Sequence, residues 1–96
     1  MPEYCETNAH IFFIKVKDLQ TRTALIHWTT SHRVGTPFHY LPLHQSPAGK
    51  RFGLFHGEDR YTTRESERLL RLPVNVGMSE SELYYVVDLV REFFNK

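Results

Sequence analysis

The apolar positions of this chain change period as the sequence advances, and each change predicts a new element. Residues 10–16, HIFFIKV, are β-branched and aromatic and predict a strand. From Leu19 the spacing turns helical. Asp18 stands where a cap is needed, and the helix through LQTRTALIHWTTSH would face inward with Leu19, Leu25, Ile26 and Trp28. That stripe is imperfect, because Thr29 and Thr30 occupy places suited to another apolar pair. Gly35 and Pro37 predict its end. TPFHYLPL, residues 36–43, predicts extended chain, since a residue before proline is pushed out of the helical region. Pro42 and Pro47 confine that stretch to a sheet edge or a loop. HQSPAGKRFGLFHGEDRY, with Gly49, Gly53 and Gly57, reads as one long connection. Thr62 and Glu65 have the spacing of a capping box for a helix that turns Leu69 and Leu70 inward, and RLPVNV follows as a short extended piece. Ser79 and Glu82 form a second capping box, with Met78 spaced to staple onto Leu83. Leu83, Val86, Val87, Val90, Phe93 and Phe94 then make one apolar face. The order β-α-β-loop-α-β-α predicts an α+β fold, a small sheet of about three short strands covered on one side by helices.

Composition narrows the classes. A chain of 96 residues with 41% hydrophobic and 24% charged side chains predicts one modest core, a single domain over residues 1–96, rather than a disordered segment. A net charge of +1 gives no general drive toward nucleic acid or an anionic membrane. No apolar run approaches the roughly 20 residues of a membrane span, and MPEYCETNAH has neither a basic nor an apolar leader region, so a soluble cytoplasmic protein is expected. Cys5 is the single cysteine, which excludes an internal disulfide and a cysteine-based zinc cluster and suits a reducing compartment. Aromatics reach 14%, and they divide. Phe12, Phe13, Phe93 and Phe94 fall on predicted core stripes, whereas Tyr40, Phe52 and Phe55 are open between core and partner surface.

The stretch FHYLPLHQSPAGKRFG, from Phe38 to Gly53, concentrates His39, Tyr40 and His44 in a proline-framed segment, and a metal site, a ligand loop and an ordinary surface connection all suit it. The metal reading is poorly supported. His39 and His44 barely meet the spacing of a ligand pair, no cysteine is near, only Glu58 and Asp59 offer carboxylates, and His56 reads as a solvated loop residue. Cys5 has no organised base in view and reads as an inert thiol. Lys50, Arg51, Arg60, Arg64, Arg68 and Arg71 are able to approach a phosphate. Arg64, Arg68 and Arg71 also recur at helical spacing and read as a solvated face paired with Glu65 or Glu67. There is no phosphate-cradling glycine motif.

Three stretches, FHYLPLHQSPAGKRFG, FHGEDRYTTRESERLLRLPV and MSESELYYVVDLVREFF, resemble the C-terminal end of the DegT/DnrJ/EryC1/StrS sugar aminotransferases, and NAHIFFIKVKD is similar to the first strand of that family's small domain. Within the family, FHGEDRYTTRESERLLRLP looks closest to the TDP-4-keto-6-deoxy-D-glucose transaminases. The resemblance implies the small domain of a fold-type I pyridoxal phosphate (PLP) enzyme that works as a homodimer. It implies transfer of an amino group from L-glutamate to the C4 keto carbon of a nucleotide-linked deoxysugar, for a surface polysaccharide such as enterobacterial common antigen. PLP would be the electron sink, held by a lysine. That lysine, the carboxylate for the pyridine nitrogen and the phosphate-binding serines belong to the family's large domain, upstream of anything present. Lys15, Lys17, Lys50 and Lys96 match no such motif.

No catalytic, cofactor-binding or metal-binding residue is therefore expected in this chain. It would be a C-terminal piece of a longer enzyme or a short reading frame that kept the small domain, silent alone or serving as a binding module. The resemblance places HYLPLH at the mouth of the active site, with His39, Tyr40 and His44 as substrate-binding residues and Pro42 fixing their spacing. The alternative is an edge segment whose histidines cap loop backbone. The family often ends the first helix with glycine before an aliphatic residue, and Arg33 and Val34 stand there instead. Without a large domain, Phe38, Tyr40, Leu41, Phe52 and Phe55 would be uncovered. Self-association, through the edge from Pro37 to Leu43, is then expected, or else mobility of residues 45–60.

Overall fold

A computed structural model describes residues 2–96. Strand β1 (Phe12–Lys15) pairs antiparallel with strand β2 (Leu69–Leu72), in the register Phe12 with Leu72 and Ile14 with Leu70. Helix α1 (Leu19–Ser31) follows β1. A single 3-10 turn at Leu43–Gln45 leads into helix α2 (Pro47–Phe52), and helix α3 (Thr62–Arg68) runs directly into β2. Helix α4 (Glu80–Phe94) ends the chain. Among the described residues no helix is long and apolar enough to cross a membrane. The α+β class is as expected, but the sheet has two strands rather than about three. Residues 36–43 do not form a strand. They touch the sheet through one backbone bond, from the Arg71 N–H to the Pro37 carbonyl at 2.9 Å, because prolines at 37 and 42 remove the donors a ladder needs.

Leu69 and Leu70 belong to β2, not to the preceding helix. Pairing with β1 outweighs their helical spacing: the Val16 N–H bonds the Arg68 carbonyl at 2.9 Å, and Arg68 Nε donates to the Val16 carbonyl at 2.8 Å. The expected Thr62–Glu65 capping box does not form either. The cap is Tyr61 with no side-chain bond, and Glu65 is drawn instead to Lys15 and to Arg68. The Ser79–Glu82 box does form, with both reciprocal bonds present.

Two apolar clusters hold these elements. One is Val16, Leu25 and Leu70, flanked by Ile14, Ile26 and Phe93; the other is Val34, Val86 and Leu89, flanked by Met78. Trp28 packs against both, and its indole N–H donates to the Leu89 carbonyl at 3.0 Å. Leu89 lies outside the stripe read from the sequence, whereas Leu83 and Phe94, inside that stripe, are half exposed. The face α4 uses is rotated toward Trp28. Thr29 fills the gap in the α1 stripe as a core residue. Fully buried, its hydroxyl donates to the Ile26 carbonyl and lies 2.6 Å from the buried Thr36 hydroxyl, so neither polar group is left unpaired. Arg22 is also buried; its guanidinium donates to the Ser66 carbonyl at 2.8 Å and lies 4.2 Å from the Phe38 ring centre, which ties the segment after α1 to the C-terminal end of α3.

Helix α1 does not run on to Gly35. Arg33 adopts a left-handed φ of 63°, and two bonds close the end, Arg33 N–H to Thr30 at 3.0 Å and Val34 N–H to Thr29 at 2.9 Å. This turn drops Val34 into the second cluster. A side chain in that conformation costs about 1 kcal/mol that glycine does not incur. Arg33→Gly is therefore expected to raise the thermal midpoint by about 4–8 °C, as read by circular dichroism. An unchanged or lowered midpoint would show that the arginine side chain stabilises the turn by contacts of its own.

Candidate functional site

The long connection between residues 44 and 61 contains a helix the sequence reading missed. Ser46 accepts the Gly49 N–H at 2.9 Å and Pro47 takes the first helical position, a serine-proline start that was visible in the sequence. Gly49 is required there. A Cβ at that position would sit 1.7 Å from the Leu43 carbonyl oxygen. The helix is then fastened to the start of α3 by a polar clasp. His44 Nε2 lies 2.8 Å from the Asp59 carboxylate, Asp59 accepts both the Thr63 N–H and the Thr63 hydroxyl, and the Gln45 amide donates to the Thr63 hydroxyl oxygen at 2.8 Å. The His44 ring also lies against Phe55, with centroids 4.3 Å apart. Beneath the clasp is a cavity of about 560 Å³ whose lining includes His44, Phe52, Leu54 and Phe55.

His39 and Tyr40 stand elsewhere. The His39 ring meets Phe13 edge-on at 6.3 Å, and the Tyr40 ring lies 5.4 Å from His39 and 6.0 Å from the Arg71 guanidinium carbon. Tyr40 is 69% exposed. Burial, and then the charge of Arg71, hold the His39 imidazole below its ordinary pKa, so it favours the neutral form. The structure thus joins His39 and Tyr40 to Arg71 at the sheet and joins His44 to Asp59 at the α2–α3 cavity. The three predicted residues do not form one cluster.

The spacing of Arg71 with Arg64 and Arg68 predicts one helical face. Arg71 lies on β2 instead, and the sequence sign was its place just before Leu72 and Pro73 at a strand end. Asp59, in sequence a carboxylate of little promise as a metal ligand, holds His44 and the first turn of α3. Among the described residues no three His, Cys, Asp or Glu side chains gather as a metal site, and His56 and Cys5 are exposed. The lysines are dispersed. Lys15 pairs with Glu65, the Lys96 ammonium lies 3.5 Å from the centre of the Trp28 ring, and Lys17 and Lys50 are exposed. Phe12, Phe13 and Phe94, expected in the core, are each at least half exposed. Phe38, Tyr40, Leu41, Phe52 and Phe55 are exposed as well, and Leu43 and Leu54, absent from that set, are more so than most of it.

The described fold superposes on aminotransferases. An aminotransferase, TlmJ, from Streptoalloteichus hindustanus matches with a TM-score of 0.83 at 24% identity, over 99% of this chain and 25% of its own. A putative sugar aminotransferase, Spr1654, from Streptococcus pneumoniae, solved in its PMP form, matches with a TM-score of 0.71 at 20% identity, over 88% of this chain and 22% of its own. The chain thus spans about a quarter of the length of either. A sequence profile of the DegT/DnrJ/EryC1/StrS aminotransferase family matches residues 2–91.

The clasp makes stability depend on pH. The Thr63 hydroxyl, followed by its N–H and His44, holds the Asp59 carboxyl below its ordinary pKa of 3.8. A lowered carboxyl pKa stabilises the fold fully above the unfolded value, and the contribution fades as pH falls below it toward the folded value. Wild type is expected to exceed Asp59→Asn in urea midpoint at about pH 5, and that margin should close as pH drops below about 4. A margin that persists in acid would show that Asp59 acts as a neutral hydrogen-bonding group.

Proposed function

Because the chain belongs to the DegT/DnrJ/EryC1/StrS aminotransferase family, we propose that it is the small-domain part of a PLP-dependent sugar aminotransferase, which contributes substrate contacts and is silent alone. The observation that carries this reading is a family match from residue 2 to residue 91 in a chain that spans about a quarter of the aminotransferases it superposes on. In this reading the enzyme moves the amino group of L-glutamate to the C4 keto carbon of TDP-4-keto-6-deoxy-D-glucose, for a surface polysaccharide such as enterobacterial common antigen. The resemblance of FHGEDRYTTRESERLLRLP to that subgroup supports the choice of sugar. Tyr40 offers an exposed face for a planar ring and His39 an unpartnered ring nitrogen beside it, while His44, held by Asp59, stands at the second cavity. PLP supplies the electron sink when bound. The residues of this chain do not fit that cofactor, since its lysines are either engaged with Glu65 and Trp28 or stand on open surface, so the reading places it on another part of the enzyme.

The exposed area favours the same reading. A folded monomer of this length exposes about 5,800 Å², and this chain exposes 7863 Å². The excess has the scale of a protein–protein interface, and we assign its apolar share to contacts with the large domain. Alone, the chain is expected to self-associate through that surface, and light scattering tests it. A strict monomer at high concentration, with Gln45–Arg60 protected from protease, would show that the surface is not built for contact.

The catalytic part of the reading is tested by mixing the purified chain with PLP and treating it with borohydride. No reducible adduct at a particular lysine is expected, and a stoichiometric adduct at one lysine would overturn the assignment. Titration with TDP-glucose separates a second reading, a free-standing binding module, which requires saturable binding without any large domain.

A further inference from the structure

Arg71 is a cation without a countercharge. Among the described residues no salt bridge joins Arg71 to an acid, while Glu65, Asp59 and Glu58 are paired with other cations or with His44. Its Nε is shielded from solvent and makes no hydrogen bond, and the same holds for Nδ1 of His39. An arginine half removed from water beside a second basic side chain is unfavourable unless an anion joins them. Its placement is nevertheless enforced. The Arg71 N–H bonds the Pro37 carbonyl, which sets the segment bearing His39 and Tyr40 against β2. Beside Arg71 lies a cavity of about 250 Å³, with His10, Pro37, Leu72, Pro73 and Val74 as further lining.

We propose that Arg71, with His39 and His10 around it and Tyr40 at its rim, is a binding site for a phosphoryl dianion, and that in the enzyme this group is the diphosphate of the nucleotide-sugar. The planar guanidinium fork matches two phosphoryl oxygens. A carboxylate's two oxygens are used by the guanidinium fork, whereas a phosphoryl group has a further oxygen to accept from the unpartnered His39 ring nitrogen. A dianion next to Arg71 would offset the smaller, repulsive part of what disfavours the charged His39 ring, burial being the larger part, and would give that ring an acceptor to donate to. The exposed Tyr40 face then lies one ring away from the phosphoryl position, where a base or sugar attached to it can pack. The identity of the ligand as a nucleotide-sugar rests on the function proposed above; the phosphoryl site itself does not.

The test is a nuclear magnetic resonance titration of the 96-residue chain with inorganic pyrophosphate at constant ionic strength. Saturable shifts are expected at the Arg71 Nε–H and the His39 ring. Arg71→Gln should weaken binding by about tenfold or more, Arg71→Lys by less, and Lys50→Gln should leave it unchanged. Should Arg71→Gln fail to fold, the wild-type shifts decide. No saturation by about 10 mM, shifts spread evenly over the surface arginines and lysines, or tighter binding of L-glutamate than of pyrophosphate each overturn the site. A TDP-glucose arm separates the two proposals. Pyrophosphate bound through Arg71 with no gain from the nucleotide-sugar keeps the site and removes the substrate assignment. TDP-glucose binding indifferent to Arg71→Gln does the reverse.

Discussion

The pairing of Ile14 with Leu70 is the contact on which the other arrangements depend. It joins segments more than fifty residues apart, so it carries most of the loop-closure cost of the fold, and Leu70 is fully buried in return. Once it forms, the neighbouring links follow from geometry. The Val16 backbone meets Arg68, Arg22 reaches the end of α3, and the Arg71 N–H faces the Pro37 carbonyl. A two-stranded ribbon is marginal by itself in water. Here Leu25 and Trp28 of α1 cover one face, and Trp28 passes that support to α4 through the Leu89 carbonyl.

The same pairing divides the candidate site. With β2 fixed, Pro37 is held at its edge and His39 and Tyr40 must lie over Phe13 and Arg71. Pro42 then leads into a 3-10 turn, and His44 is carried to the beginning of α3, where Asp59 receives it. The six residues from His39 to His44 therefore serve two environments, one cationic and one apolar with a polar clasp. A ligand long enough to meet both would have to lie along the segment rather than point into one pocket.

What the sequence disclosed was governed by local rules, and what it hid was governed by tertiary ones. Asp18 and Ser79 cap helices because their side chains reach an amide three residues away, and both were legible. Ser46 and Pro47 obey the same local rule, but three glycines nearby suggested a loop and masked it. Leu69 and Leu70 carry a helical spacing that β1 overrides, and nothing near them in sequence announces this. Thr29 looked like a flaw in an apolar stripe because its partner, the Thr36 hydroxyl, lies beyond the helix end. Of the candidate site, His39, Tyr40 and His44 were legible as chemistry. Arg71 and Asp59 were not, since a charge reads as solvated until a strand or a cap gives it a neighbour.

The lobe formed by α2 and its flanks shows why so much apolar surface stays open. Phe52 is 79% exposed and Leu54 96% exposed, so hydrophobic burial contributes little to holding this lobe in place. The polar clasp of His44, Asp59, Gln45 and Thr63 supplies the fastening instead, together with the close approach of Gly49 to Leu43. Such bonds are directional and survive beside water, and each contributes modestly net. They shape the lobe without adding apolar cover. An element arranged in this way can keep its form without apolar cover, and in the function proposed above its larger stabilisation would come when the rest of the enzyme meets Leu43, Phe52 and Leu54. On that proposal the core clusters and the polar clasp divide the labour, the first fixing the fold and the second shaping an open apolar face.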